Sequence, residues 1–250
     1  MHEHGRWRGS SEPASESLPL RADPSLTAVP PIGVRRLPRI SLPLIDNRLR
    51  IPAVICGGVL LVALFAIPAR IHLGVPASLD RSAVDDWIPF LQWTIWIYVS
   101  YYVFLILAIA LPGKDKPRSD AAYGLLLIGF IGLIIFTLMP TSIVRQSPNL
   151  DGATGFLWRV LFSIDTSVNA LPSLHVANTC VAVVPLVSRG RLWRIIAIVW
   201  AVLIIASTLT TKQHYAIDVP GGFALAALCL LFVRFAVDYR PLDRMTTTGR

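Results

Sequence analysis

His214 and Asp218 lie four residues apart, and His175 stands upstream at the start of another apolar run. If a helix has begun by Gln213, that spacing puts His214 and Asp218 on one helical face. A carboxylate there holds one imidazole nitrogen and leaves the other lone pair aimed outward, which makes a histidine a nucleophile or a base. The second histidine, reaching in from another helix, is placed to give a proton to a leaving group and later take one from an acceptor. The bland alternative for each histidine is a polar residue that joins helices by hydrogen bonds, and for Asp218 an acid favoured at a helix start. Burying ionisable groups in apolar runs is costly, so each one found there calls for a functional reading. Two imidazoles and a carboxylate can also hold zinc with an open position. No HExxH spacing accompanies them, however, and the nearby Arg145 and Lys212 suit an anion better than a cation. No metal and no cofactor is therefore expected.

The elements that must position these groups are apolar helices. The chain of 250 residues is 54% hydrophobic and only 15% charged, and its mean hydropathy is +0.61, outside the range of soluble globular proteins. A bilayer core about 30 Å thick needs roughly 20 mostly apolar residues in a helix. Uncharged runs near 51–68, 87–111, 121–140, 173–188, 195–211 and 216–233 predict six spans. With the N-terminal segment placed inside, 18 Lys and Arg fall on the inner side and 5 on the outer, which predicts both termini cytoplasmic. The formal net charge of +8 then reads as inner loops facing anionic lipid, and nucleic-acid binding is not expected. All the polar candidates fall on the outer side.

Residues 1–46 are rich in Pro, Ser, Arg and Glu and are expected to form a disordered cytoplasmic tail, with Arg35, Arg36, Arg39, Arg48 and Arg50 gathered towards the membrane. Residues 47–240 make the six-span domain and 241–250 a second cytoplasmic tail. No removable signal peptide is indicated. Cys56, Cys180 and Cys229 lie in apolar runs without CxxC spacing, as buried small hydrophobes do. Within the long outer connection 141–171, residues 155–164 predict a short helix lying along the interface. The fold expected is thus all-α, an integral membrane bundle of six transmembrane helices with an interfacial helix between spans three and four.

Pro172-Ser173-Leu174-His175, followed by Ser207 and then His214 and Asp218, resembles the last two signature motifs of the type-2 phosphatidic acid phosphatase superfamily. The stretches NALPSLH and STLTTKQHYAID are most similar to the branch that contains inositol phosphorylceramide synthases and their bacterial relatives, and the resemblance covers about residues 110–235. It implies a phosphatase or phosphotransferase acting on a lipid-linked phosphate or phosphodiester. His214 would take the phosphoryl group as a phosphohistidine, Asp218 would orient it, and His175 would serve as general acid and then base. Ser173 and the amides beside it would hold phosphate oxygens at a helix N-terminus.

The pattern is not followed throughout. Lys114, Lys116 and Arg118 resemble the first signature in composition but fall on the inner side, so Arg145 is the expected substitute. Thr208 stands where an Arg follows the Ser of the last motif, and Leu174 stands for the Gly of the middle one. Lys212 is expected to supply the missing positive charge. Gly221 and Gly222 are read as allowing close helix packing. The expected partners are a lipid phosphate or phospholipid substrate and membrane lipids. Whether water or a lipid alcohol accepts the phosphoryl group is left open. From a different class comes a transporter or lipid-binding scaffold without turnover, although no related halves with broken helices are visible.

Overall fold

The computed structural model describes residues 39–71 and 73–246. The disorder expected for residues 1–38, with Arg35 and Arg36 among them, lies outside the described residues. Apolar runs become helices: α1 (Arg50–Ala66), α3 (Ile95–Ala110), α4 (Asp115–Leu138), α6 (Leu174–Val187), α7 (Arg191–Thr210) and α8 (Asp218–Ala236) lie over the six runs. Four stretches, Gln92–Ala110, Asp115–Leu138, Arg191–Thr210 and Asp218–Ala236, are long and apolar enough to cross a membrane. They are compatible with a membrane protein. The other two helices are shorter, α1 with 17 residues and α6 with 14. Prolines account for part of this. Pro68 follows α1 closely, Pro172 precedes α6, and Pro185 sits in the last turn of α6, where its ring and missing N–H disfavour continuation.

α6 is the axis of the bundle, packed against α3, α4, α7 and α8. Its composition explains the position, because Ala177, Val181, Ala182 and Leu186 are buried where a charged helix could not be. Outward-facing residues are apolar as well: Val103 and Ile106 on α3, Ile198 and Val202 on α7, Leu228 and Phe232 on α8 are exposed. A surface of that character matches a lipid environment and not water. α1 packs on α3 and α4.

At one end, β1 (Ile40–Pro43) pairs in parallel with β4 (Val237–Arg240). An ordered strand therefore occupies the last part of the segment expected to be a disordered tail. Its order has a cause beyond the ladder: Ile45 N–H donates to Ser119 Oγ, and the buried Arg118 guanidinium donates to Ile45 O. A short helix α9 (Leu242–Thr246) forms within the expected C-terminal tail.

At the other end, β2 (Ala77–Ser78) pairs with β3 (Thr141–Ser142), and a short α2 (Ala83–Trp87) caps the approach to α3. α5 (Gly152–Ile164) forms over the residues expected to be helical, burying Trp158 and Leu161 and exposing Phe156, Val160 and Ile164. α4 has 24 residues, about 36 Å at 1.5 Å per residue. Arg118 at its start is thus a bundle length away from the loop that follows its end.

Candidate active site

The start of α8 carries Asp218, whose Oδ2 lies 3.1 Å from His214 Nδ1 and accepts the Tyr215 N–H at 2.9 Å. An ionised carboxylate only accepts, so Nδ1 carries the proton and the Nε2 lone pair is left for chemistry. The spacing delivers this contact by a route other than the expected one. α8 begins at Asp218, so the two residues do not share a helical face; a tight turn brings them together. The turn arises because Lys212 adopts a left-handed φ of 54°, and the N–H groups of Gln213 and His214 both donate to Thr208 O.

His175 enters from α6. Ser173 caps that helix by accepting the Val176 N–H, and its own N–H donates to Asp218 O, which locks the two motifs together. Close approach is possible because position 222 is glycine: a Cβ there would sit 2.7 Å from both Ser173 O and the Val176 Cβ. The His175 and His214 ring centroids are 5.8 Å apart, well inside the reach of one phosphoryl group. Tyr98 and Tyr101 of α3 hold the His175 ring from two sides, with centroids at 4.6 and 4.5 Å, and the Tyr98 hydroxyl lies 3.3 Å from Nδ1. His175 Nε2 has no hydrogen-bond partner among the described residues.

Both imidazoles line a pocket shared with Arg145, Asp165, Asn169 and Gln213. The Arg145 guanidinium donates to the carbonyls of Asp165 and Thr166 and pairs with Asp165 Oδ2 at 3.2 Å. The pocket thus joins two imidazoles, a carboxylate and a cation. Residues 62–232 match the sequence profile of the PAP2 superfamily. The chain belongs to the PAP2 superfamily. No curated protein and no solved structure gave a match. PAP2 proteins are generally phosphatases, so membership points to phosphatase-type activity.

Set against that superfamily's motifs, the six expected site residues divide. The structure brings His214, His175, Asp218 and Arg145 together. It does not bring Lys212, whose Nζ is turned away to the carbonyls of Asp85 and Ile88 at 2.5 and 2.6 Å. Burial depresses its ammonium below the ordinary lysine value. Ser173 is fully buried, acts as the α6 cap and does not line the pocket. Lys212 belongs to a clamp on the turn that carries His214. Asp85 Oδ1 accepts the Ala216 N–H at 2.6 Å, while its Oδ2 takes the Ser82 N–H and hydroxyl. Burial alone would raise the Asp85 carboxyl, but these bonds and the Lys212 charge hold it below the usual range. Arg118 lies at the far end of α4, bonded to Ile45 O, Asp115 and Asn47, so the PAP2 first signature is not supplied by that segment.

Sequence reasoning missed Asp165, Asn169, Gln213, Tyr98 and Tyr101. A signal existed for Asp165, a lone acid ending an apolar stretch, and for the two tyrosines, three residues apart on one face. Among the described residues, no group of three or more His, Cys, Asp or Glu side chains is placed to hold a metal ion.

Burial pushes the Asp165 carboxyl above its ordinary value, and the charges of Arg145 and His214 only partly oppose this. The folded chain therefore holds this proton to higher pH than the unfolded chain, so its contribution to stability falls as pH rises from the ordinary carboxylate value of 3.8 through the raised one. Asp165→Asn removes that fall. Thermal unfolding across pH is expected to show the variant more stable than the wild type at neutral pH and equal to it in acid. A variant less stable at neutral pH would mean that the Arg145 pair outweighs desolvation.

Proposed function

We propose that this protein is a membrane phosphatase or phosphotransferase that acts on a lipid-linked phosphate or phosphodiester through a phosphohistidine. The observation that carries the reading is His214, oriented by Asp218, facing His175 across a pocket that holds Arg145. In the first step His214 Nε2 attacks phosphorus and the bond to the leaving oxygen breaks. His175 Nε2 gives that oxygen its proton, and Arg145 offsets charge on the phosphoryl oxygens. In the second step the oxygen of water or an alcohol attacks phosphorus, its proton passes to His175, and the electron pair of the P–N bond returns to the imidazole of His214. Neither step calls for a metal.

The membrane arrangement belongs to the same proposal. Six spans place both termini in the cytoplasm and the pocket at the extracytoplasmic face, with α5 along the interface. α1 and α6 then cross a bilayer thinned around the bundle or tilt less than their neighbours. The resemblance of NALPSLH and STLTTKQHYAID to inositol phosphorylceramide synthases favours transfer of a head group to a lipid alcohol as a second reading. One observation supports that reading too: the pocket continues through Ile143, Arg145 and Ser167 into an open groove lined by Gln146, Leu150 and Phe162, with room for an acceptor.

The test is a radiolabelled-lipid assay on detergent-purified protein, with and without alcohol acceptors. Phosphate release or head-group exchange is expected, persisting in chelator and inhibited by vanadate, which mimics the pentacoordinate phosphoryl species. Free phosphate as product assigns hydrolysis and a new phosphodiester assigns transfer. Lipid binding without either product would leave the scaffold reading.

A further inference from the structure

Asn169 lines the pocket beside both histidines and is only 6% exposed, yet neither atom of its carboxamide has a hydrogen-bond partner among the described residues. Buried carboxamides in folded proteins are nearly always paired, so a group in this state calls for a ligand. Its backbone is held in place. φ is 75°, a left-handed conformation that asparagine tolerates better than most residues. The Asn169 N–H donates to Thr141 O at 2.6 Å, and the neighbouring Leu171 N–H donates to Thr141 Oγ1 at 3.0 Å. On the other side Ile143 N–H donates to Ser167 O, and Val168 bridges to Ser142. The loop is therefore stitched to β3, and the backbone that carries the carboxamide is fixed before any ligand arrives.

Resting on the phosphoryl-transfer reading above, we propose that Asn169 is a substrate-binding residue whose carboxamide N–H holds a non-bridging phosphoryl oxygen. A carboxamide brings an acceptor along with its donor, and a phosphate dianion cannot satisfy that acceptor. The fitting ligand is therefore a phosphoryl group with an O–H beside it, which the attacking water or alcohol supplies in the second step. Gln213, next to the nucleophile, repeats the pattern: its Nε2 contacts Thr211 O, and its Oε1 is without a partner among the described residues.

The test uses the purified full chain in detergent, comparing wild type, Asn169→Gly, Asn169→Asp and His214→Ala. Glycine removes the carboxamide and accepts the left-handed backbone; aspartate keeps the shape and replaces the donor with a charge that repels phosphate. The readouts are KM and kcat on a lipid phosphate, inhibition by orthovanadate and inorganic phosphate, and the unfolding midpoint. Expected for Asn169→Gly is a rise of roughly 10- to 100-fold in KM and in both inhibition constants, the factor from one lost hydrogen bond to a charged group, with little change in midpoint. Asn169→Asp is expected to weaken phosphate and vanadate inhibition more than glycine does. Unchanged inhibition constants in Asn169→Asp would overturn the proposal while His214→Ala remains inactive. Failure of both Asn169 variants to fold would overturn it also, by assigning the carboxamide to folding. Turnover surviving in His214→Ala would instead overturn the parent reading.

Discussion

Replacing His214 with alanine is expected to lower phosphate release or head-group exchange by at least ~10⁴-fold, the scale seen when a covalent nucleophile is removed. The size follows from what the imidazole is asked to do. In the proposed mechanism it forms the bond to phosphorus, and no neighbour substitutes for it: Asp218 Oδ2 is held by the His214 ring and the Tyr215 N–H, and Lys212 points to Asp85 and Ile88. The intermediate gives a second readout. Wild-type protein quenched during turnover of a phosphorus-labelled lipid should retain label that is stable in alkali and lost in acid, as a phosphoramidate is. His214→Ala should retain none, and its unfolding midpoint should stay close to wild type. Label that survives the substitution would place the nucleophile elsewhere.

What the sequence made legible, and what it did not, follows contact by contact. The helices were readable because uncharged apolar runs have few alternatives in a bilayer. The bounds of α1 and α6 were readable to within two residues, but α3 starts at Ile95 and not near 87, because α2 and a single 3-10 turn take up the residues before it. His175, His214 and Asp218 were readable because ionisable groups at the ends of such runs are rare and their spacing is short. Lys212 was misread for an instructive reason. A cation two residues from a nucleophile suggests an anion site, but its direction depends on a left-handed turn and on carbonyls more than 120 residues away in sequence, at separations of 127 and 124. Local pattern does not encode such a partner. Asp165 offered only the signal of a lone acid and Asn169 none, for the same cause: the loop that carries them becomes a pocket wall only when it is bonded to β3.

Among the described residues it is Arg145 that brings a cation to the pocket wall, while Lys212 bonds to the protein itself. Lys212 and Asp85 fix the turn 211–216 from one side, and Ser173 bonded to Asp218 O fixes it from the other. The His214 ring thus lies between two anchored segments. Such support costs nothing during the reaction, because the orientation is set on folding.

His175 should reveal its role through the leaving group. In the first proposed step it protonates the departing oxygen, which matters for a lipid alkoxide and hardly at all for nitrophenolate, a good leaving group without a proton. His175→Ala is therefore expected to slow attack on an alkyl phosphate by ~10²–10⁴-fold. Attack on p-nitrophenyl phosphate should slow by less than about tenfold on the same grounds. The second step needs His175 as base with either substrate, so the variant should release nitrophenolate in a burst of about one per active site and then slow sharply. The phosphohistidine label should accumulate in that phase. The neighbours make the substitution specific. Tyr98 and Tyr101 enclose the ring, but the Tyr98 hydroxyl meets Nδ1 and the Tyr101 hydroxyl is taken by Asn178, so neither stands at the Nε2 side to replace it. Equal losses with both substrates and no burst would show that His175 acts on the pocket's shape and not on the proton.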